Sequence, residues 1–257
     1  IKMKNKFIIL GCGSSLGTPW INGNWGKCIK KNKNIRTRCC AHFNYKGMSV
    51  LIDTSPDIRA QFLKNKINNV DAIMYTHEHA DQTAGIFEMR PFFWKNKIKI
   101  PVYGSKRTIT ELIKKNRFCF FPRYGYKPIM KANIIKNTFN LIKKNITLPI
   151  NSFDVDHGLI KSTAYVLKDV AYISDCNKIS VKSYKYLSNL NYLIIDCLRE
   201  AKHPTHFNFE ESMRIINILK PKKAILTNLH NDLDYNKLKK KLPSNIIPAF
   251  DGLKFNF

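Results

Sequence analysis

The sequence predicts a mixed α/β fold, and two observations support that class. Short apolar runs rich in β-branched residues alternate along the chain with segments whose apolar residues recur at helical spacing. The chain has 257 residues, of which 44% are hydrophobic, so it is long and apolar enough to form one large domain with its own core. We therefore treat residues 1–257 as a single α/β domain.

Nine strands and four helices are predicted from these patterns. The strands are expected at residues 7–12, 49–53, 70–76, 98–103, 164–167, 171–174, 192–196, 224–227 and 246–250. The helices are expected at residues 57–66, 106–115, 209–219 and 234–242. Asn208 is the predicted N-cap of the third helix, and two glutamates follow it in the first turn. Residues 118–142 lack a clear pattern, and we expect a surface flap there.

The charge balance is strongly basic, with 44 Lys and Arg against 18 Asp and Glu, a formal net charge of +26. Most of the excess is lysine and accompanies asparagine and isoleucine, residues with A/T-rich codons, so compositional drift explains it more simply than a nucleic-acid surface. The positive electrostatic field of so basic a chain still attracts small anions.

Membrane insertion and secretion are both disfavoured by the sequence. No apolar run approaches the ~18–20 residues that cross a bilayer. The basic start leads into an apolar stretch too short for a signal peptide. The seven cysteines include no C-x-x-C pair and are expected to be reduced thiols. We expect a cytoplasmic protein.

The most informative motif is the run from Thr76 to Gln82, directly after a predicted strand. In an extended segment, residues two apart point the same way, so His77 and His79 present their imidazoles to one point. Asp81 follows at the start of the next turn. Two imidazoles and a carboxylate are donors suited to Zn²⁺, Mn²⁺ or Fe²⁺. The motif therefore predicts a metal site.

Three other segments with a strand-like pattern are followed by further potential ligands. His157 follows a strand-like run, Asp175 comes directly after Ser174, and His230 lies just beyond the strand at residues 224–227. Ligands collect at strand ends in α/β sheets. These residues strengthen the metal prediction.

Together, H-x-H-x-D after an apolar strand, a later Ser-Asp and later strand-end histidines resemble the metallo-β-lactamase-fold hydrolases. Residues 10–19, 51–57, 204–207 and 233–235 resemble a branch that contains phosphoribosyl cyclic-phosphate phosphodiesterases and relatives of the tRNA 3′-end endonucleases. The resemblance spans nearly the whole chain. It implies an αββα sandwich of two mixed β-sheets flanked by helices, with divalent metals at its edge.

The resemblance also implies which residues hold those metals. His77, His79 and His157 would bind the first ion. Asp175 would bridge to a second ion, which Asp81 would also bind while contributing to catalysis. The cofactor would be one or two divalent ions, Zn²⁺ or Mn²⁺.

Further residues are expected to act on the substrate. The resemblance makes His206 the general acid, and it places the glycine-rich loop with Gly13 and Ser14 at the floor of the site. Arg36 and Arg38 are candidate phosphate clamps, with surface ion pairs as the alternative.

Two positions depart from the family pattern. Gln82 stands where the family has histidine, and an amide oxygen is a weaker ligand than imidazole, so we expect the second metal to be bound loosely or only with substrate. Asn228 stands where many relatives have histidine. The nearby His230 is then a second-metal ligand, a substrate contact or neither.

The expected function is hydrolysis of a small (cyclic) phosphodiester by hydroxide held on the metal, with a small anionic substrate as partner. One alternative is an RNA-processing nuclease of the same fold, for which RNA would be the partner. Another is a relative that binds metal or ligand but is catalytically weakened by Gln82. No membrane partner is expected, and the resemblance leaves room for a homodimer.

Overall fold

Two seven-stranded β-sheets form the centre of the computed structural model, which describes residues 5–257. The strands, in chain order, are β1 (Lys6–Gly11), β2 (Cys40–Tyr45), β3 (Met48–Ile52), β4 (Ala72–Met74), β5 (Ile100–Gly104), β6 (Met130–Ile134), β7 (Thr138–Lys143), β8 (Ile146–His157), β9 (Ile160–Leu167), β10 (Val170–Ile173), β11 (Tyr192–Asp196), β12 (Lys223–Thr227), β13 (Ile246–Pro248) and β14 (Leu253–Asn256). The first sheet has the order β14-β1-β2-β3-β4-β5-β6 and the second β13-β12-β11-β10-β9-β8-β7. Residues 1–4 lie outside the described residues. They begin the basic stretch that the sequence analysis considered as a signal peptide.

The α-helices pack outside the two sheets or connect their strands. They are α1 (Ile58–Asn65), α2 (Ala80–Thr83), α3 (Arg90–Asn96), α4 (Lys106–Lys115), α5 (Arg117–Phe120), α6 (Phe209–Leu219) and α7 (Tyr235–Lys241). The N-terminus of α6 is a capping box: the Asn208 side chain accepts from Glu211 N at 2.9 Å, and the Glu211 carboxylate accepts from Asn208 N at 3.0 Å. No helix of residues 5–257 has both the length and the apolar character that a bilayer crossing requires.

Successive side chains of each strand point to opposite faces of its sheet, and this alternation explains how sheets and helices form layers. Phe7 and Ile9 point between the sheets, into a buried cluster shared with β8 to β12. Ile8 and Leu10 point the other way and pack against α1 and α4. The second sheet buries its outer face under α6 and α7. Each sheet is thus covered on both faces, and the predicted αββα sandwich of two mixed sheets is confirmed.

The parallel strands of both sheets bring polar residues to one edge. Strands β3 to β6 are parallel in the first sheet, and β10 to β13 are parallel in the second. Two hydrogen bonds join the sheets where β4 continues toward the histidine motif: Thr163 N donates to Thr76 O at 2.8 Å, and the Tyr165 hydroxyl donates to Tyr75 O at 2.6 Å. This junction lets ligands from both sheets meet.

The surface flap predicted at residues 118–142 is confirmed only for residues 121–127, which are exposed, and is wrong for the rest. The segment contains the end of α5, all of β6 and most of β7, and Phe120 is buried. Strand β6 extends the first sheet by parallel pairing with β5. Only Met130 of its five side chains is buried, and Lys131 and Asn133 interrupt its apolar residues, so it lacks the apolar run that predicts a strand.

Candidate metal centre

Three imidazoles converge at the junction of the sheets. His77 Nε2 lies 3.0 Å from His79 Nδ1, and His157 Nε2 lies 3.3 Å from the same atom. Nitrogens bound ~2.0–2.1 Å from one tetrahedral ion would be about 3.3 Å apart, so the three residues fit a divalent cation. His77 and His79 follow β4, whereas His157 ends β8, on the other sheet.

Hydrogen bonds orient two of these rings. Thr76 Oγ1 donates to Asp53 Oδ2 at 2.9 Å, so it accepts from His77 Nδ1 at 3.0 Å. His157 Nδ1 donates to Thr205 O at 2.7 Å. In both rings the Nε2 lone pair is left for the ion, the arrangement by which outer-shell partners fix metal ligands. Burial lowers the pKa of His77 to about 3, which keeps its ring neutral as coordination requires.

Two carboxylates lie beside the imidazoles. Asp175 follows β10 and is buried, and Asp81 is in the first turn of α2. Burial and the nearby Asp175 charge raise the pKa of Asp81 to about 6. Burial opposes ionisation of Asp175 as well, but the imidazoles of His77 and His206 outweigh it and lower its pKa. Asp175, His157 and His206 each offer a ligand atom, and these atoms lie within 4.8 Å of one another.

His206 is held by a carboxylate that we did not predict from the sequence. Its Nδ1 lies 2.7 Å from Asp196 Oδ2, and its ring centroid is 4.7 Å from that of His157. Although burial acts to lower the pKa of His206, the Asp196 carboxylate outweighs it and raises the pKa to about 9. Asp196 ends β11, and a carboxylate at a strand end was the signal available in the sequence.

A cavity of about 530 Å³ opens over these groups. Ser14 lines it, and the buried Ser14 Oγ has no hydrogen-bond partner among residues 5–257. Gly13 lies behind it, with its N–H donating to Thr37 O at 2.8 Å, so it supports the loop. Arg199 and His203, which were not predicted as site residues, also line the cavity.

The assignment of Arg36 as a phosphate clamp is wrong. Its side chain is 2% exposed, and its guanidinium donates to His230 O at 2.9 Å, Leu233 O at 2.5 Å and Asn34 Oδ1 at 3.2 Å. It therefore ties loops together beneath the surface and does not line the cavity.

The clamp assignment is also wrong for Arg38, whose side chain is not part of the cavity wall, and the alternative of an ion pair is confirmed, because its Nε lies 2.9 Å from Asp57 Oδ2. His230 does line the cavity, with Nδ1 3.1 Å from Asp232 Oδ2. Asn228, not His230, reaches the Asp175 carboxylate: its Nδ2 is 3.4 Å from Asp175 Oδ1.

Comparison with known proteins agrees with this geometry. Residues 49–228 match the family model described as a β-lactamase superfamily domain. The chain belongs to this superfamily. Its structure is similar to the crystal structure of a new diphosphatase from the PhnP family, with a TM-score of 0.89, 29% identity, and coverage of 99% of this chain and 98% of that one. The predicted recognition, a metallo-β-lactamase-fold hydrolase of the branch that resembles phosphoribosyl cyclic-phosphate phosphodiesterases, is therefore confirmed, with the PhnP-family structure as the match to that branch.

Two further comparisons are more limited. The crystal structure of Zn²⁺-bound PqqB from Methylobacterium extorquens shares the fold, with a TM-score of 0.80 and 15% identity. The superposition covers 98% of this chain and 100% of that one. An octanoyltransferase of Porphyromonas gingivalis (strain ATCC BAA-308 / W83) is 27% identical over 253 residues, 96% of this chain. The chain spans about half the length of that relative, 50%, so the relative's named activity assigns nothing to this chain.

Proposed function

We propose that the chain is a metal-dependent hydrolase of a small phosphodiester. The observation that carries the proposal is the cluster of three imidazoles, two of which line one cavity together with the Asp175 carboxylate and His206. A divalent ion, Zn²⁺ or Mn²⁺, would be held by His77, His79 and His157. Likeness to a diphosphatase supports a reaction at phosphorus.

Such an ion, when bound, supplies Lewis acidity that polarises a phosphoryl oxygen and activates water. The remaining roles fall to the chain. Asp81 has a pKa of about 6, is ionised at neutral pH and accepts a proton from the attacking water. His206 gives its proton to the leaving oxygen as the phosphorus–oxygen bond breaks, a step worth ~10²–10⁴-fold in rate.

Phosphate binding is the role we propose for Arg199 and Ser14. Both line the cavity, and Ser14 Oγ has a free hydrogen-bonding capacity there. A guanidinium binds two phosphoryl oxygens with charge-assisted hydrogen bonds. Together with protonated His206, Arg199 gives the cavity the positive charge that an anionic substrate needs.

The test is a substrate panel with the chelated chain reloaded with Mn²⁺ or Zn²⁺. Its members are bis-p-nitrophenyl phosphate, ribose cyclic phosphates, a nucleoside diphosphate and single-stranded RNA. We expect turnover of the small diesters that His206→Gln lowers by at least about 10²-fold. Metal binding without turnover of any member would instead support the catalytically weakened relative.

One observation favours the alternative of an RNA nuclease. A groove of about 840 Å³ is lined by four cationic side chains and, within residues 5–257, by no carboxylate. The Arg90 guanidinium lies 3.5 Å from the centroid of Phe87 and 5.4 Å from that of Trp94. Aromatic faces with cations are how proteins bind single-stranded nucleic acid. RNA cleavage that exceeds diester turnover and falls in Trp94→Ala would support the nuclease.

A further inference from the structure

Two buried amides occupy the positions where the family pattern has metal-binding histidines. Gln82 is fully buried and Asn228 is 1% exposed. They come from opposite sheets, since Gln82 lies in α2 after β4 and Asn228 follows β12. Both direct their amide nitrogens at Asp175.

Gln82 bridges two carboxylates. Its Nε2 lies 3.3 Å from Asp81 Oδ2 and 3.3 Å from Asp175 Oδ2, so its two N–H groups have two acceptors. Its Oε1 is buried and has no hydrogen-bond partner among residues 5–257. An amide nitrogen donates hydrogen bonds and is not a metal ligand, so Gln82 in this orientation serves the carboxylates as a donor.

Asn228 bridges a second pair of carboxylates, those of Asp175 and Asp196. Its Nδ2 lies 3.4 Å from Asp175 Oδ1 and 3.3 Å from Asp196 Oδ1, and it also contacts His206 Nδ1 at 3.0 Å. Because His206 Nδ1 carries a proton that it donates to Asp196, it does not accept a hydrogen bond from Asn228. The two N–H groups of Asn228 therefore donate to the Asp175 and Asp196 carboxylates. Its backbone has φ +59°, a left-handed conformation that asparagine tolerates.

We infer that the amides of Gln82 and Asn228 take the place of a second metal ion, so that the centre holds a single divalent cation. Four N–H groups satisfy four oxygens of Asp81, Asp175 and Asp196. A second ion in that space would meet amide hydrogens on two sides and would break all four bonds. The donor set therefore fits one ion at the three imidazoles and does not fit the two-metal centre that the resemblance implied. This inference rests on the three-imidazole site of the proposed function.

The single-ion centre changes which groups stabilise the substrate's charge. In a two-metal site both ions neutralise the phosphoryl oxygens. Here that charge is met by His206 and Arg199, which line the same cavity.

The direct test is to count the ions and describe their coupling. The chelated chain is titrated with Mn²⁺, bound metal is measured by mass spectrometry, and electron paramagnetic resonance separates an isolated ion from a coupled pair. We expect one Mn²⁺ per chain with a six-line spectrum. Two tightly bound ions with an exchange-coupled spectrum would overturn the inference.

Gln82→Glu tests the amide itself, because it has the same shape but replaces the donating NH₂ with a carboxylate oxygen. We expect this variant to take up a second Mn²⁺ at least about tenfold more tightly than the wild-type chain, with a melting temperature that rises with Mn²⁺. Asn228→His, with an imidazole restored on the other sheet, is the second variant and should act in the same direction. Unchanged counts in both would contradict the inference.

Two controls separate the possible failures. Asn140→Asp adds a carboxylate at an exposed position on β7, and its ion count should stay at one. His77→Ala should bind no ion, and an unchanged count there would refute the three-imidazole site. A wild-type chain that binds one ion but hydrolyses no phosphoester would refute the proposed function and leave the single-ion inference supported.

Discussion

His206 Nδ1 lies 2.7 Å from Asp196 Oδ2, and this contact fixes the imidazole at the wall of the cavity. Asp196 is itself held in place, since Oδ2 also accepts from Cys176 N at 2.8 Å and Oδ1 faces the Asn228 amide. The carboxylate is completely buried at the end of β11. A buried, multiply bonded carboxylate is a rigid support for a proton-donating ring.

Asp196→Asn should therefore lower kcat while leaving the bound metal unchanged. The amide keeps the shape but removes the charge that orients His206, and outer-shell changes of this kind typically cost ~10–100-fold in activity. Steady-state kinetics and metal analysis of the same sample provide the measurement. A raised KM at unchanged kcat would show that Asp196 acts on binding and not on proton transfer.

Arg199→Ala should raise KM for a phosphodiester by about tenfold or more. Loss of a charge-assisted hydrogen bond costs ~1.5–3 kcal/mol in binding. Arg38→Ala is the matched control, because Arg38 pairs with Asp57 and is not part of the cavity wall. Equal KM values in the two variants would remove Arg199 from the site.

Arg36→Met should destabilise the fold with little direct effect on KM. Methionine fills much of the same volume but removes the three hydrogen bonds that the guanidinium donates to His230 O, Leu233 O and Asn34 Oδ1. Hydrogen bonds to charged groups contribute ~1.5–3 kcal/mol each, and every one of these acceptors keeps a second donor, so we expect a loss of about 3 kcal/mol in total in the free energy of unfolding. Urea unfolding measures it, and wild-type stability would contradict the structural role.

Stability should fall in mildly acidic solution because of His42. This buried ring donates from Nε2 to Ser49 Oγ at 2.8 Å, since that hydroxyl donates onward to Asn69 O, and its Nδ1 has no partner among residues 5–257. Burial lowers its pKa from 6.5 to about 4. The unfolded chain therefore takes up this proton first, so the stabilisation is complete above pH 6.5 and is lost as the pH falls toward 4.

His42→Gln keeps a donor for Ser49 but does not titrate. Between pH 7 and 5, the wild-type chain should lose about 2 kcal/mol more free energy of unfolding than this variant, from the linkage of one buried histidine. Urea unfolding at both pH values measures the difference. Equal losses of free energy of unfolding in the two proteins would show that protonation of His42 does not cause the destabilisation in acid.

Most of the fold could be predicted because both sheets are covered on both faces. Strands such as β3 and β11 are then continuous apolar runs, which local pattern detects. Strands β6, β7 and β14 lie at sheet edges and, like the interior strand β2, mix polar with apolar residues, so they were missed. Their pairing partners, not their composition, make them strands.

The candidate site was predicted where spacing or a strand end carries the information, as for His77, His79 and Asp175. The arginines failed because a guanidinium at the end of a long side chain can point into the core or the cavity, and only tertiary placement decides between Arg36 and Arg199. Asp196 also ends a strand, but it was missed because only the folded structure shows that His206, ten residues later, turns back onto its carboxylate. The metal-binding roles themselves remain predictions.

Anomalous diffraction from crystals soaked in Mn²⁺ tests the central claim most directly. The account predicts one strong peak, about 2.0–2.3 Å from His77 Nε2, His79 Nδ1 and His157 Nε2. A peak bound elsewhere, or three unperturbed imidazoles at saturating Mn²⁺, would contradict it.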